Sequence, residues 1–264
     1  MVYDNASQDN SAELAKSHPV RPAVIRSAYN FGFAHGVNAA VATTEDFDYL
    51  LLLNPDAVLH PATIDALWEA TVHFPEAGIY GGKSVSSDKR SKPGSVLGRP
   101  SVFQAVRFAA CCGVLPFTAR WEPDAISGGE PQGVCEVPAI EGSMLLISAL
   151  AWKSLEGFDE SFFLYGEDVD LCVRAYRMGF RVIYSEKATY THMGGASSSN
   201  KAESTKRMLR GKRMLYERYA AGRLGIFLLA IGVFLRATFE PLIRSDDKWR
   251  YCWRERSYWL GRKH

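Results

Sequence analysis

Tyr49-Leu50-Leu51-Leu52-Leu53-Asn54-Pro55-Asp56 is the stretch that decides the fold. Five apolar side chains in a row, without polar alternation, describe a short strand covered on both faces. The run stops at Asn54-Pro55-Asp56, where proline and short polar side chains turn the chain. Downstream, Pro61 opens a helical pattern over about residues 62–73, and residues 78–81 form another short strand. Upstream, Val24-Ile25 reads as a buried strand, and Ser11 as a cap for a helix over residues 12–17. Residues 37–42 look helical behind the glycine loop Asn30-Phe31-Gly32-Phe33-Ala34-His35-Gly36. Strands alternating with helices predict an α/β domain on a mainly parallel sheet flanked by helices.

The second half is less regular. Gly, Ser and Pro punctuate residues 82–135, which read as a long, partly helical excursion with a basic patch at Lys89, Arg90 and Lys92. Residues 137–147 read as one strand containing Glu141-Gly142-Ser143, followed by a helix from about residue 149. A helix over residues 169–178 stops at Gly179. Residues 181–184 form a strand, and residues 189–192 form another.

Composition narrows the class. The 264 residues are 47% hydrophobic and 12% aromatic, enough for a sizeable core, so disorder is not expected. Cys111, Cys112, Cys135, Cys172 and Cys252 make no Cys-x-x-Cys pair and no matching histidine spacing. That argues against structural zinc and a disulfide framework, and fits a reducing compartment. The first ten residues are polar, so no signal peptide is expected. Charge is divided unevenly. Residues 1–200 hold 15 Lys and Arg against 23 Asp and Glu, a net of −8, and residues 201–264 hold 16 against 6, a net of +10. An acidic body with a basic tail points to an anionic partner for the tail, a membrane surface or a nucleic acid.

Three acidic positions terminate or follow apolar runs: Asp4 after Val2-Tyr3, Asp56 after residues 50–53, and Glu167-Asp168 after Phe162-Phe163-Leu164-Tyr165. Ligands of open α/β sheets sit outside the carboxyl ends of strands, so Asp4 and Asp56 are expected on one rim. A helix start explains Asp170 and Arg174 as an i,i+4 pair. It leaves Glu167 and Asp168 unexplained, and carboxylates beside so much apolar surface are costly unless paired, metal-bound or used.

The strings VYDNASQDNS (2–11), NFGFAHGVNAA (30–40), LLLNPDA (51–57) and GFDESFFLYGEDVDLCVRAYRMGFRVIY (157–184), followed by TYTH (189–192), resemble family 2 glycosyltransferases. Within them the resemblance is to the bacterial rhamnosyltransferase-like branch, and it covers roughly residues 1–195. It implies a GT-A fold, a nucleotide-diphosphate sugar donor, a divalent metal (manganese or magnesium) and inversion at the anomeric carbon. Asp168 matches the general base, with Glu167 beside it. Asp4 matches an acid near the donor's base and ribose. Asn54-Pro55-Asp56 matches the DxD-type element with Asn as its first member, which puts the metal contact on Asp56. His192 matches a histidine that completes the metal site in some relatives. The same resemblance places substrate-binding residues at Asn5, Ser7, Asn30, Gly32, Asn54, Glu141 and Gly142. Relatives usually begin with one more apolar strand and a helix, and this chain starts at the following strand. The expected reaction is transfer of rhamnose from dTDP-rhamnose to a polyprenyl-diphosphate-linked saccharide. Galactofuranose, mannose or glucose remain open as the sugar, as does a truncated, non-catalytic binding domain.

The expected layout is a glycosyltransferase domain over residues 1–200 and a basic helical tail over residues 201–264. Residues 224–235 are twelve uncharged, mostly apolar residues, about 18 Å as a helix against roughly 30 Å of bilayer core. They read either as a helix packed on the domain or as an interfacial anchor. Lys206, Arg207, Arg210, Lys212 and Arg213 before it, and Arg254, Arg256, Arg262 and Lys263 after it, favour an anionic membrane surface. Trp249, Tyr251, Trp253, Tyr258 and Trp259 are suited to headgroup depth. The expected place is the cytoplasm, peripheral at the inner face of the cell membrane. No nucleic-acid motif is present, so no nucleic-acid partner is expected.

Overall fold

The computed structural model describes residues 1–44, 46–85, 95–110, 124, 126, 129–193, 200–243 and 247–261. Lys89, Arg90, Lys92, Cys111, Cys112, Arg262 and Lys263 lie outside these residues. Cys135 and Cys172 are free thiols.

The central sheet runs β3 (Tyr49–Leu53), β9 (Met144–Ser148), β5 (Ala77–Val85), β10 (Arg181–His192) and β4 (Ala57–Leu59), with β7 (Val134–Glu136) also on β10. The α/β layering is as expected, but the strand directions are mixed. β5 and β10 are parallel, whereas β9 opposes both its neighbours, and β4 and β7 oppose β10. An apolar run signals two covered faces and carries no information on direction. The two expected strands over residues 181–192 are one strand, irregular between Ser185 and Thr189, which first follows β5 and then also meets β4.

β1 (Val2–Asp4) and β2 (Val24–Arg26) form a separate parallel pair. Among the described residues β3 is bonded along one edge only, to β9. Only Leu52 of its apolar run is buried, and Leu53 is 42% exposed, so this strand is less covered than its sequence implies.

Alternation places two cores on the two faces of the sheet. Ile79, Leu145, Ile147, Val182 and Tyr184 face one side, which α2 (Phe33–Ala42), α5 (Ala149–Leu155) and α6 (Glu167–Arg177) cover. Tyr80, Met144 and Ile183 face the other, under α3 (Thr63–His73). The remaining helices are α1 (Ser11–Ser17), α4 (Val102–Ala109), α7 (Lys201–Tyr219), α8 (Arg223–Ile243), α9 (Lys248–Arg254) and α10 (Arg256–Leu260). Asn10 precedes α1, and Ser11 is its first residue rather than its cap. Asn200 caps α7, accepting from Ala202 and Glu203 backbone N–H groups at 3.1 and 3.2 Å.

A third core joins α4 to the C-terminal helices through Phe108, Leu209, Tyr216, Leu229, Val233, Trp249 and Trp259. Trp249 and Trp259 are therefore interior residues, not headgroup aromatics; the Trp259 indole N–H donates to the Cys252 carbonyl at 2.8 Å. Lys206 and Lys212 are likewise buried and paired, with Glu203 and Asp124. Their charge is spent inside the protein.

α7 is tied to α6 by a buried carboxylate. Asp170 is fully covered and accepts from Arg174 Nε at 2.7 Å, Arg218 Nη1 at 2.9 Å and Tyr219 Oη at 2.6 Å. Arg174 also donates to the Leu155 and Gly157 carbonyls, and Arg218 also pairs with Asp159 at 2.7 Å. Removing one member of a buried ionic network costs about 3 kcal/mol or more. Asp170→Ala should lower the melting temperature by roughly 6 to 12 °C. A thermal melt showing less than about 2 °C would mean that α7 is held by its apolar contacts alone.

Candidate active site

Three groups of polar residues are joined by two short segments. The first group lies at the end of β1. Asp4 is buried, accepts the Ser7 backbone N–H at 3.1 Å, and stands 3.4 Å from Arg26 Nε. Hydrogen bonds from Ser7, helped by Arg26, hold its carboxyl below the usual range. Asn5 donates to the Gly32 carbonyl at 2.8 Å and accepts the Phe31 N–H at 3.0 Å. Asn30 accepts the Gly32 N–H at 3.0 Å. The Asn5 and Asn30 amides thus shape the glycine loop that opens α2, which starts at Phe33, four residues before the expected 37.

The second group surrounds Asp56. The β4–β10 register sets His192 opposite Ala57, and the Met193 N–H donates to the Asp56 carbonyl at 3.0 Å. His192 Nε2 lies 3.2 Å from Asp56 and its Nδ1 3.2 Å from Glu141. The Glu141 hydrogen bond, with the two acidic neighbours, raises the His192 pKa. Asn54 Oδ1 is buried without a hydrogen-bond partner among the described residues. Here His192 bridges the carboxylates, and among the described residues no three His, Cys, Asp or Glu side chains converge on a metal position. The donor set nevertheless fits a hard divalent cation: two carboxylates, an imidazole, and an amide oxygen left orphaned in the interior.

The third group is the acidic pair in the first turn of α6, which begins two residues before the expected 169. Asp168 is partly buried and accepts the Gly142 N–H at 2.8 Å and the Val169 N–H at 2.8 Å. Burial raises its pKa, opposed by those two backbone bonds. Glu167 is buried, its Oε2 has no hydrogen-bond partner among the described residues, and burial beside Asp168 pushes its carboxyl up to about 8. Burial therefore favours the neutral form of Glu167, while Asp168 faces donors suited to its anionic form.

Glu141-Gly142-Ser143 connects the second and third groups. The expected strand over residues 137–147 is broken here into β8 (Ala139–Ile140) and β9. Freed from the ladder, the loop gives Glu141 to His192, the Gly142 N–H to Asp168, and the Ser143 carbonyl to the Asn54 N–H at 3.0 Å. Ser143 Oγ is 2.6 Å from Tyr190 Oη, and the Glu141 N–H bonds the Ser95 carbonyl at 2.8 Å. Ser95, Ser143 and Tyr190 were not among the expected site residues. Only their places beside a Gly and a His hinted at them.

Residues 163–166 connect the first and third groups. The Phe33 N–H donates to the Phe163 carbonyl at 2.8 Å. Gly32 has φ +95°, and a Cβ there would overlap that carbonyl. On the other side, a Cβ on Gly211 of α7 would overlap the Tyr165 carbonyl. Tyr165 itself has φ +70°, a strained conformation for an aromatic residue, just before the acidic pair. Asp4 has no hydrogen bond or ion pair to the Asp56 group among the described residues. The expected common rim is bridged by these loops.

The family described as Glycosyltransferase like family 2 matches residues 2–213. The chain is 27% identical over 220 residues to the N-acetylglucosaminyl-diphospho-decaprenol L-rhamnosyltransferase of Mycobacterium tuberculosis, covering 78% of this chain and 68% of the relative. It is 26% identical over 206 residues to Rhamnosyltransferase WbbL of Escherichia coli, covering 71% of this chain and 74% of that one. Among solved structures it resembles the mannosyltransferase PcManGT from Pyrobaculum calidifontis in complex with GDP-Man and Mn2+, with a TM-score of 0.51 at 15% identity over 98% of this chain and 75% of that one. It also resembles GalNAc-T7 with UDP, GalNAc and Mn2+, with a TM-score of 0.52 at 12% identity over 82% of this chain and 44% of that one.

Proposed function

The chain belongs to glycosyltransferase family 2 and has the GT-A fold, and from that premise we propose an inverting transfer of rhamnose from dTDP-rhamnose to a polyprenyl-diphosphate-linked saccharide. The observation that carries the mechanism is the shared loop. One three-residue segment holds Asp168 through the Gly142 N–H and the Asp56–His192 pair through Glu141. A base and a cation site are thereby fixed relative to each other.

Asp168 takes the proton from the acceptor hydroxyl as that oxygen attacks the anomeric carbon. The Gly142 and Val169 N–H groups orient its carboxylate and limit the rise that burial imposes on its pKa. In the neutral form that burial favours, Glu167 adds no second negative charge beside the base. Asp56, His192, Glu141 and Asn54 would hold manganese or magnesium. A bound divalent cation offsets the charge developing on the departing nucleoside diphosphate. Asp4, with Asn5, Ser7, Asn30 and Gly32, forms the wall expected beside the nucleoside.

Two features of the relatives support the substrate reading: both are named rhamnosyltransferases, and the mycobacterial one carries a diphospho-decaprenol acceptor in its name. The test is a transfer screen with an N-acetylglucosaminyl-diphospho-polyprenol acceptor. It compares dTDP-rhamnose with UDP-galactofuranose, GDP-mannose and UDP-glucose, with and without manganese. Transfer from dTDP-rhamnose alone is expected. Preference for another donor would change the sugar, and inactivity with all four would remove the reading.

The C-terminal helices are proposed to meet an anionic membrane surface. α8 is 21 residues long rather than the expected twelve, so length and composition allow it to cross a bilayer. Its buried stripe, however, is committed to protein at Leu229, Val233, Arg236, Ala237 and Glu240. The opposite side exposes Leu224, Phe227, Phe234 and Phe239. One apolar side free and one packed suits a helix lying in the interface. Phe227→Glu with Phe239→Glu should abolish sedimentation with phosphatidylglycerol vesicles without lowering the melting temperature. Unchanged sedimentation would remove α8 as the anchor.

A further inference from the structure

α7 carries Arg207, Arg210 and Arg213 at three-residue spacing, alongside the loop that leads to the acidic pair. Most of the positive charge nearby is already used. Arg213 pairs with Glu217 at 2.8 Å, Arg218 with Asp159 and Asp170, and Arg207 lies 3.5 Å from Glu203. Arg210 is different. It is exposed, stands 5.3 Å from the Tyr258 ring centroid, and pairs with no carboxylate among the described residues. It lines two adjoining hollows. One is a narrow cleft of about 10 Å³ against Phe163, Tyr165, Gly211 and Tyr258, and the other is an open hollow of about 380 Å³ that Met214, Trp259 and the Arg213-paired Glu217 also line.

The cleft adjoins the loop that leads to the acidic pair. Tyr165 lines it, Gly211 packs on the Tyr165 carbonyl, and Glu167 and Asp168 follow two and three residues later. The donor's diphosphate is assigned to the acidic Asp56 side, where a cation is needed to hold it. The base must face the acceptor. An acceptor that is itself an anion then needs an uncompensated cation on the Asp168 side, beside apolar surface for its chain. Arginine offers phosphate oxygens a planar fork of donors.

We propose that the cleft between residues 161–165 and helices α7 and α10 binds the isoprenoid diphosphate of the acceptor. Arg210 takes the phosphate oxygens, and Met214 and Tyr258 lie along the first isoprene units. This rests on the lipid-linked acceptor reading above.

The probe is farnesyl diphosphate, titrated calorimetrically into the full chain, with farnesol as the uncharged control. Wild type should bind the diphosphate and not the alcohol. Arg210→Ala should weaken binding by about tenfold or more, and Arg210→Lys by less. In transfer assays Arg210→Ala should raise KM for the diphosphate-linked acceptor by a similar factor, with kcat and donor KM unchanged. A parallel arm measures sedimentation with phosphatidylglycerol vesicles. Loss of vesicle binding in Arg210→Ala with farnesyl diphosphate affinity intact would assign the arginine to lipid headgroups and overturn the subsite. Wild type failing to bind farnesyl diphosphate, or Arg210→Ala binding it equally well, would also overturn it. Binding without transfer from any nucleotide sugar would leave the subsite standing and remove the transfer reading instead.

Discussion

Asp168→Asn should reduce sugar transfer by about 10²-fold or more while nucleoside diphosphate binding persists. The amide keeps the size of the carboxyl group but has one acceptor oxygen where the carboxylate uses two, so it keeps only one of the Gly142 and Val169 N–H bonds, and a thermal melt of the variant must accompany the rate to show that the start of α6 holds its shape. What the amide cannot do is accept a proton. Glu167→Gln should do less harm, because glutamine resembles the protonated acid that burial already favours at this position. The pair also predicts a pH signature. The Glu167 carboxyl rises from an ordinary value near 4.5 to about 8 on folding. The folded state then binds more protons than the unfolded state, and stability falls as pH rises through that window. Wild type should lose melting temperature between about pH 5 and 8 relative to Glu167→Gln. Thermal melts across that range and initial transfer rates test both claims. If Glu167→Gln is the more damaging variant for transfer, the base belongs to the other member of the pair.

Asp56→Ala should abolish cation-dependent donor binding. Asp56 projects from the turn after β3, and its partners are His192 and, through it, Glu141. Removing it takes away a hard oxygen donor and leaves an imidazole and one carboxylate, a poor set for manganese or magnesium. The expected loss in nucleoside diphosphate affinity with manganese present exceeds the roughly 10- to 100-fold that removal of a supporting contact costs a metal site. Calorimetry with the nucleoside diphosphate, with and without manganese, measures it. The side chain lies outside the apolar cores, so the melting temperature should change little. Unaltered affinity would exclude Asp56 from the donor site.

The residues proposed to carry chemistry were legible because each one interrupts an apolar pattern. Asp4 and Asp56 end strands, and Glu167-Asp168 stand where a helix with an apolar face begins. Local periodicity records such breaks directly. What the pattern could not convey is which distant segment covers each break. Glu141-Gly142-Ser143 sits in a run that scores as one strand. It leaves the ladder only because Asp168, His192 and Asn54 offer better partners for its polar groups. Trp249 and Trp259 look like interfacial aromatics on their own, and become core once α4 and α7 close over them. Strand direction was invisible for the same reason, since β9 runs against both neighbours with a side-chain pattern that fits either sense.

Gly32 and Gly211 stand on opposite sides of residues 163–165, and neither position has room for a Cβ. They lie far apart in the chain, one before the first acidic turn and one in the basic tail. This gives a criterion for sorting chains that share the acidic motif. Side chains at either position would displace the loop that leads to the base, whatever the motif itself spells. A chain with the motif and only one of the two glycines would therefore need a compensating shift in α2 or α7 to present its base in the same place. The tail is thus tied to the placement of the proposed base as well as to the proposed membrane contact.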